Sequence, residues 1–450
     1  MRWPPINASL LIAVLVVGSW ACDSREPAEK TERPNIILVI GDDHGYRDFG
    51  FLGSDTAITP RLDALAAGAT VFTHGYSTAS SCRPSLRTLL TGLQPLQFSS
   101  RLLRDSHGNS AQAGIRRIAT LPRILAAHGY SSFQSGKFWE GTYADAGFDE
   151  GMKVVAGKAG WKQSNRILRD GLEPVFDFID RHRDGPFFVW FAPSLPHIPH
   201  NPPSEFLRLY IGGDLPIDVV TYFGAVSWFD AGLGQIIDHL DRIGIRDETL
   251  VVYASDNGWE EVTGTGPEPL APQVASMGGA SGKMSLYDPG FLTPLIFDWP
   301  GRIPAGRVIG TLVSLADVFP TLLSFAGIEP LPNRDGRDLR SVIEGSQPLE
   351  PKALIGMMET VRTDTRSGER IRPSRAMPGG YFYRDDTWHY IQYSTRPAEL
   401  YRVIDDPDET RNLATQEPQL VARFSAQIAA WDLRMRANVP PDPYTEDALP

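Results

Sequence analysis

Six short polar sets between residues 42 and 283 hold the side chains of this chain that could do chemistry. Asp42-Asp43 and Asp256-Asn257 together offer three carboxylates and one amide carbonyl, an oxygen set that suits a hard cation such as Ca²⁺ or Mg²⁺. Taken alone each set is an ordinary turn: adjacent aspartates repel unless solvated or bridged, and Asp-Asn-Gly is a turn signal. Lys137 and Lys283 would bring positive charge to the same place. Cations beside a metal suit a tetrahedral oxyanion such as sulfate or phosphate. His197 lies between Pro196 and Pro199 in an extended loop and is a candidate proton donor to a leaving group. Cys82 lies near the start of Ser80 to Gly92, where Pro84 suits a first helical turn and Gly92 a C-terminal stop. At a helix N-terminus a cysteine meets unpaired N–H groups that favour negative charge. A lone cysteine is nonetheless more often a small buried hydrophobe.

Strands and helices must bring these sets together. Asn35 to Ile40 is a continuous apolar run, as in a strand buried on both faces, and it ends at Asp42-Asp43. Tyr130 to Lys137, Pro186 to Ala192, Thr249 to Ala254 and Pro294 to Trp299 read the same way. Helices are expected at Thr59 to Ala66, Ile118 to His128, Leu172 to Arg181, Tyr222 to Ile243 and Val313 to Ala326. This alternation predicts an α/β fold, a large mostly parallel sheet covered by helices on both faces. Ligands of such sheets bind outside the carboxyl ends of the strands, where most of the polar sets fall. Thr263 to Gly282 reads as a long loop. Beyond Pro351 short strands precede an amphipathic helix, Pro418 to Ala437. The expected organisation is therefore a catalytic domain over 34–350 and a small C-terminal antiparallel sheet with a packed helix over 351–450.

The composition, 42% hydrophobic and 22% charged, is that of an ordinary globular chain. A net charge of -11 argues against general nucleic-acid binding, so positive charge for an anionic substrate must be local. Residues 1–21 read as an export signal: Arg2, the apolar run Ala8 to Val17, and small residues Ser19 and Ala21 before Cys22. The polar stretch 22–33 reads as a tether. A periplasmic location, or lipid anchoring through Cys22 to a bacterial membrane, is the expectation. Cys82 would then be an unpaired thiol in an oxidising compartment, which calls for shielding or a chemical role.

The longer motifs carry a resemblance. Pro34 to Asp43, Thr59 to Phe72, Cys82-Arg83-Pro84-Ser85 with Leu89 to Gly92, and Gly129-Tyr130 through Gly136-Lys137 occur in that order. Pro196-His197-Ile198-Pro199, Ser255 to Gly258, Gly282-Lys283, and Glu399-Leu400-Tyr401 with Asn412-Leu413-Ala414 follow. Together they resemble the formylglycine-dependent sulfatase family of the alkaline-phosphatase-like superfamily, over roughly Pro34 to Ala414. The resemblance implies that Cys82 is converted to formylglycine by a formylglycine-generating enzyme. It implies one divalent cation, Ca²⁺ in preference to Mg²⁺, on Asp42, Asp43, Asp256, Asn257 and the residue at 82. It also implies His197 as proton donor, Lys137 and Lys283 on the sulfuryl group, and a small sulfated substrate such as a sulfated carbohydrate.

Three departures stand out. Leu86 occupies the place of the signature arginine, with Arg87 one residue later, about 100° around a helix. Arg87 is the candidate to take over its role. Trp139 stands where the family has a histidine, and Leu292 where it has an arginine, after Asp288-Pro289-Gly290 in place of Glu-Gly-Gly. Two further readings share the scaffold: a phosphoester or phosphonate hydrolase, and a degenerate protein that binds sulfated glycans without cleaving them.

Overall fold

The computed structural model describes residues 33–99, 115–152, 166–259, 281–358 and 379–437. The expected signal segment 1–21, with Cys22 and nearly all of the tether, lies outside the described residues, as does most of the loop Thr263 to Gly282. Among the described residues no helix is long and apolar enough to cross a membrane.

Among the described residues nine strands form the main sheet: β1 (Asn35–Gly41), β2 (Thr70–Tyr76), β3 (Ser131–Gly136), β4 (Glu150–Gly151), β5 (Phe187–Ala192), β6 (Thr249–Ser255), β7 (Leu292–Asp298), β8 (Arg307–Ile309) and β9 (Val313–Ser314). Their order is β4-β3-β5-β1-β6-β7-β2-β8, with β9 beside β2. All pairings are parallel except those of β7, which runs antiparallel to both β6 and β2. Continuous apolar strands follow from burial on both faces. Ile36, Leu38 and Ile40 join one core with Phe188, Trp190, Leu250 and Val252, covered by Leu86, Leu89 and Leu90 of the helix Cys82–Thr91 and by the helices Leu121–Ala127 and Val318–Phe325. The alternate residues Ile37 and Val39 join the opposite core with Phe187, Val189 and Tyr253. That face is covered by the helices Pro60–Gly68, Glu173–His182 and Ile217–Ile243, the last through Phe229, Leu233, Ile236 and Leu240.

Two helices are shorter than their apolar spacing suggests. Thr120 accepts from the Arg123 N–H and caps the helix at Leu121, three residues later than expected. Val313-Ser314 pairs with β2, and Ser314 and Asp317 close a capping box, so that segment opens as a strand and a short 3₁₀ turn before its helix.

The C-terminal part is a four-stranded antiparallel sheet: β10 (Leu354–Met358), β11 (Gly380–Arg384), β12 (Trp388–Tyr393) and β13 (Glu399–Arg402). The helix Pro418–Ala437 packs on it through Phe424 and Ile428, against Tyr383, Tyr390 and Leu400. The Met357 N–H donates to the Thr78 carbonyl at 3.3 Å, so this sheet abuts the segment leading into Cys82.

Candidate active site

Six adjacent strands, β3-β5-β1-β6-β7-β2, deliver the expected residues to one edge of the sheet. Asp42-Asp43 follow β1, Lys137 follows β3, His197 lies beyond β5, Asp256-Asn257 follow β6, and Cys82 begins the helix after β2. Lys283 precedes its strand. It reaches the same edge because β7 runs antiparallel, which places its start beside the other strands' ends.

Local backbone sets the carboxylates. The Asp42 N–H donates to the Leu195 carbonyl at 3.0 Å, tying the end of β1 to the segment that carries His197. Asp43 then leaves the strand with φ of 61°, a left-handed conformation uncommon outside glycine. Strand alternation would send neighbouring side chains to opposite faces. The break at Asp43 lets both carboxylates join one cluster. Ligand atoms of Asp42, Asp43, Cys82 and Asp256, all buried, lie within 4.8 Å of one another. Cys82 Sγ is 3.9 Å from Asp42 Oδ1 and 3.8 Å from Asp43 Oδ1.

The cations face this cluster. Lys137 Nζ donates to Asp42 Oδ1 and lies 3.5 Å from Asp256 Oδ2. Lys283 Nζ is 2.7 Å from Asp43 Oδ2. His197 Nε2 is 3.5 Å from the same oxygen, and its Nδ1 lies 2.6 Å from the Ile198 carbonyl. A carbonyl only accepts, so Nδ1 carries a hydrogen and Nε2 is the nitrogen left to exchange a proton at the cluster.

Three buried oxygens, Asp42 Oδ2, Asp256 Oδ2 and Asn257 Oδ1, have no hydrogen-bond partner. The Asn257 amide is oriented by its Nδ2, which donates to Asp43 Oδ1 at 2.6 Å and to the Gly258 carbonyl at 2.8 Å. Buried acceptors without donors need an explanation, and three carboxylates outnumber the two ammonium groups. The donor set fits one hard divalent cation, which Asp42, Asp43, Asp256 and Asn257 would hold with the residue at 82 beside it. Burial pushes the Asp42 and Asp256 carboxyls up to about 6, against the pull of Lys137. Burial, followed by the Asp256 carboxylate, pushes the Cys82 thiol well above its ordinary value. A neutral thiol is a poor nucleophile.

The three departures have distinct structural outcomes. Leu86 is 5% exposed and packs in the core beneath the helix, where an arginine would bury a charge. Arg87, expected to take the arginine's role, is instead engaged by Glu140: Nε lies 2.7 Å from Oε1 and Nη2 3.0 Å from Oε2. Rotation by one residue along the helix turns it toward the loop after β3. Trp139 packs against the core, with its ring centroid 5.9 Å from Lys137 Nζ. Leu292 pairs with Tyr76 at the start of β7 and packs beside Leu286 and Phe291.

Sequence reasoning missed two supports. Glu140 is one; the other is Arg169, whose Nη2 donates to the carbonyls of Ser194 at 3.0 Å and Pro199 at 3.4 Å, on either side of His197. Its Nη1 donates to Asn201, and its guanidinium lies 5.3 Å from the Trp228 ring centroid. Neither residue belongs to a motif, and a lone charged side chain in a loop carries no signal of its own.

Comparison with known proteins identifies the family. The Sulfatase family model matches residues 34–328, and that of the N-sulphoglucosamine sulphohydrolase C-terminal region matches 279–431. N-acetylgalactosamine-6-sulfatase of Canis lupus familiaris is 30% identical, over 89% of this chain and 84% of its own. Human arylsulfatase A is 30% identical, over 84% of this chain and 83% of its own. Among solved structures, that of BT4656 in complex with its substrate D-glucosamine-2-N,6-O-disulfate superposes with a TM-score of 0.69 at 18% identity, covering 91% of this chain and 99% of that one. Fold and site define a hydrolase of the alkaline-phosphatase-like fold. The chain belongs to the sulfatase family and is a sulfuric ester hydrolase.

Proposed function

We propose that this chain is an exported sulfatase that hydrolyses a sulfate ester on a carbohydrate, with formylglycine at position 82 and one divalent cation. The observation that carries the proposal is the convergence of Cys82, 3.8 Å from Asp43, with Lys283 and His197 on that same carboxylate. Bound there, the cation would polarise a sulfate oxygen. Formylglycine at 82 would supply, as its hydrate, one hydroxyl to attack sulfur and a second to drive release of sulfate, which a thiol lacks. Lys137 and Lys283 offset charge on the sulfuryl group, and His197 donates its Nε2 proton to the departing alcohol. Ca²⁺ fits the all-oxygen protein set better than Mg²⁺, which keeps more of its own water.

The names of two relatives support a sugar substrate: one acts on N-acetylgalactosamine 6-sulfate, and one was solved with a glucosamine disulfate. Arg2, the apolar run Ala8 to Val17 and the small residues before Cys22 support export. Mass spectrometry of the Cys82 peptide from the native host, with parallel assays on p-nitrophenyl sulfate, p-nitrophenyl phosphate and sulfated monosaccharides, tests the reading. Formylglycine and sulfate-ester turnover are the expected results. An unmodified cysteine removes the nucleophile, faster phosphate turnover moves the activity to phosphoesters, and sugar binding without turnover leaves a binding protein.

A further inference from the structure

The carboxylate of Glu140 receives two guanidinium groups from the helix that Cys82 begins. Arg83 and Arg87 stand four residues apart, on one face of that helix. They reach Glu140 Oε1 at 2.8 and 2.7 Å and Oε2 at 3.4 and 3.0 Å. Arg83 also donates to the Trp139 carbonyl at 3.4 Å. The Glu140 side chain is 4% exposed, and a carboxylate that deeply buried is tolerated only when paired.

Its place in the chain gives the pair a use. Arg83 is bonded to Cys82, and Glu140 lies three residues beyond Lys137. Cys82 follows β2 and Lys137 follows β3, and four strands separate these two in the sheet. The ladder link between them runs through those four strands, with the Lys137 N–H on the Ala192 carbonyl at 2.6 Å and its Nζ on Asp42. Glu140 adds a direct bridge across the sheet edge, where Leu86, turned into the core, has no polar group to offer. The two-pronged contact from Arg87 fixes direction as well as distance, which a lysine would not.

We propose that Glu140, held by Arg83 and Arg87, is a positioning residue that sets Lys137 against the side chain at position 82. The inference rests on the sulfatase reading of the site.

Glu140→Gln keeps the shape and removes the charge. Its kcat on p-nitrophenyl sulfate, normalised to formylglycine content in the same sample, should fall about tenfold to a hundredfold, as for a misplacement of about 1 Å. Calorimetric titration with inorganic sulfate reads the Lys137 side without turnover, and its affinity should weaken about tenfold, as for loss of a preorganised charge contact. Arg87→Lys keeps Glu140 paired with two cations, so it is the second variant should Glu140→Gln fail to fold, and it should show the same pattern at smaller size. Unchanged kcat and sulfate affinity would overturn the proposal, as would losses that track only the folded fraction. A wild-type chain with no turnover of any sulfate ester counts against the functional reading instead, and the sulfate titration then decides the positioning role alone.

Discussion

Lys283 Nζ lies 2.7 Å from Asp43 Oδ2, although 240 residues separate the two in sequence. Asp43 belongs to the first strand end and Lys283 to the loop entering β7, and the contact exists only because β7 runs against its neighbours. The same carboxylate oxygen faces His197 at 3.5 Å. Asp43 is thus the point at which the proposed metal ligand, the Lys283 charge and the proposed proton donor meet.

Removing the Lys283 ammonium should affect the sulfuryl group more than the leaving group. Lys283→Ala is expected to lower kcat/KM for aryl sulfates about 10²–10³-fold, the range for loss of one preorganised charge contact. The loss should be similar for good and poor leaving groups. Steady-state kinetics over a series of substituted phenyl sulfates measures this, and a loss confined to poor leaving groups would move Lys283 into the proton-transfer step.

His197 should show the opposite pattern. An imidazole that protonates the departing alcohol matters most when that alcohol is a poor leaving group. His197→Ala is expected to cost about 10²–10⁴-fold for an alkyl or sugar sulfate and much less for p-nitrophenyl sulfate. Equal losses across the series would make His197 a structural or metal-site residue.

Arg169 should act through His197. Arg169→Lys cannot span the Ser194 and Pro199 carbonyls as a planar fork does. A drop of about tenfold is expected for poor leaving groups, matching His197→Ala in direction and in its smaller size for p-nitrophenyl sulfate. A uniform loss along the series would assign Arg169 to folding alone.

Metal and protons should compete at the cluster. In the folded, metal-free chain burial raises Asp42 and Asp256 from the ordinary 3.8 to about 6. Between those values the folded state binds more protons than the unfolded one, so stability falls as pH rises through the window. A cation that replaces those protons removes the loss, so its apparent affinity should climb up to about pH 6 and then level. Metal at a hundred times its Kd adds about 2.7 kcal/mol. The Tm difference between calcium-loaded and chelated protein, followed by scanning calorimetry, should widen over that range. A gap that does not change with pH would place the metal elsewhere.

Much of the site was legible because its parts are local. Apolar runs such as Asn35 to Ile40 declare buried strands, and Asp42, Lys137 and Asp256 stand within a residue or two of strand ends, where this class of sheet binds ligands. Turn and helix-start chemistry at Gly92 and Pro84 likewise depends on neighbours in sequence, and the structure places Gly92 in the left-handed stop at φ of 68°.

The fate of Arg87 was not local. Helical spacing showed only that it sits about 100° from position 86. Whether it turned to the acidic cluster or to another partner depended on Glu140, 53 residues away, and on how the loop after β3 lies over the helix.

By itself, then, the sequence determined which residues could do chemistry, which segments are buried strands, and the family they belong to. Those properties reside in residue type and in spacing within one segment. The tertiary structure alone decided strand order and direction, the pairing of Lys283 with Asp43, and the diversion of Arg87 to Glu140. Each of these depends on which segments become neighbours in space, and an alternating or continuous apolar pattern is the same for a strand running either way.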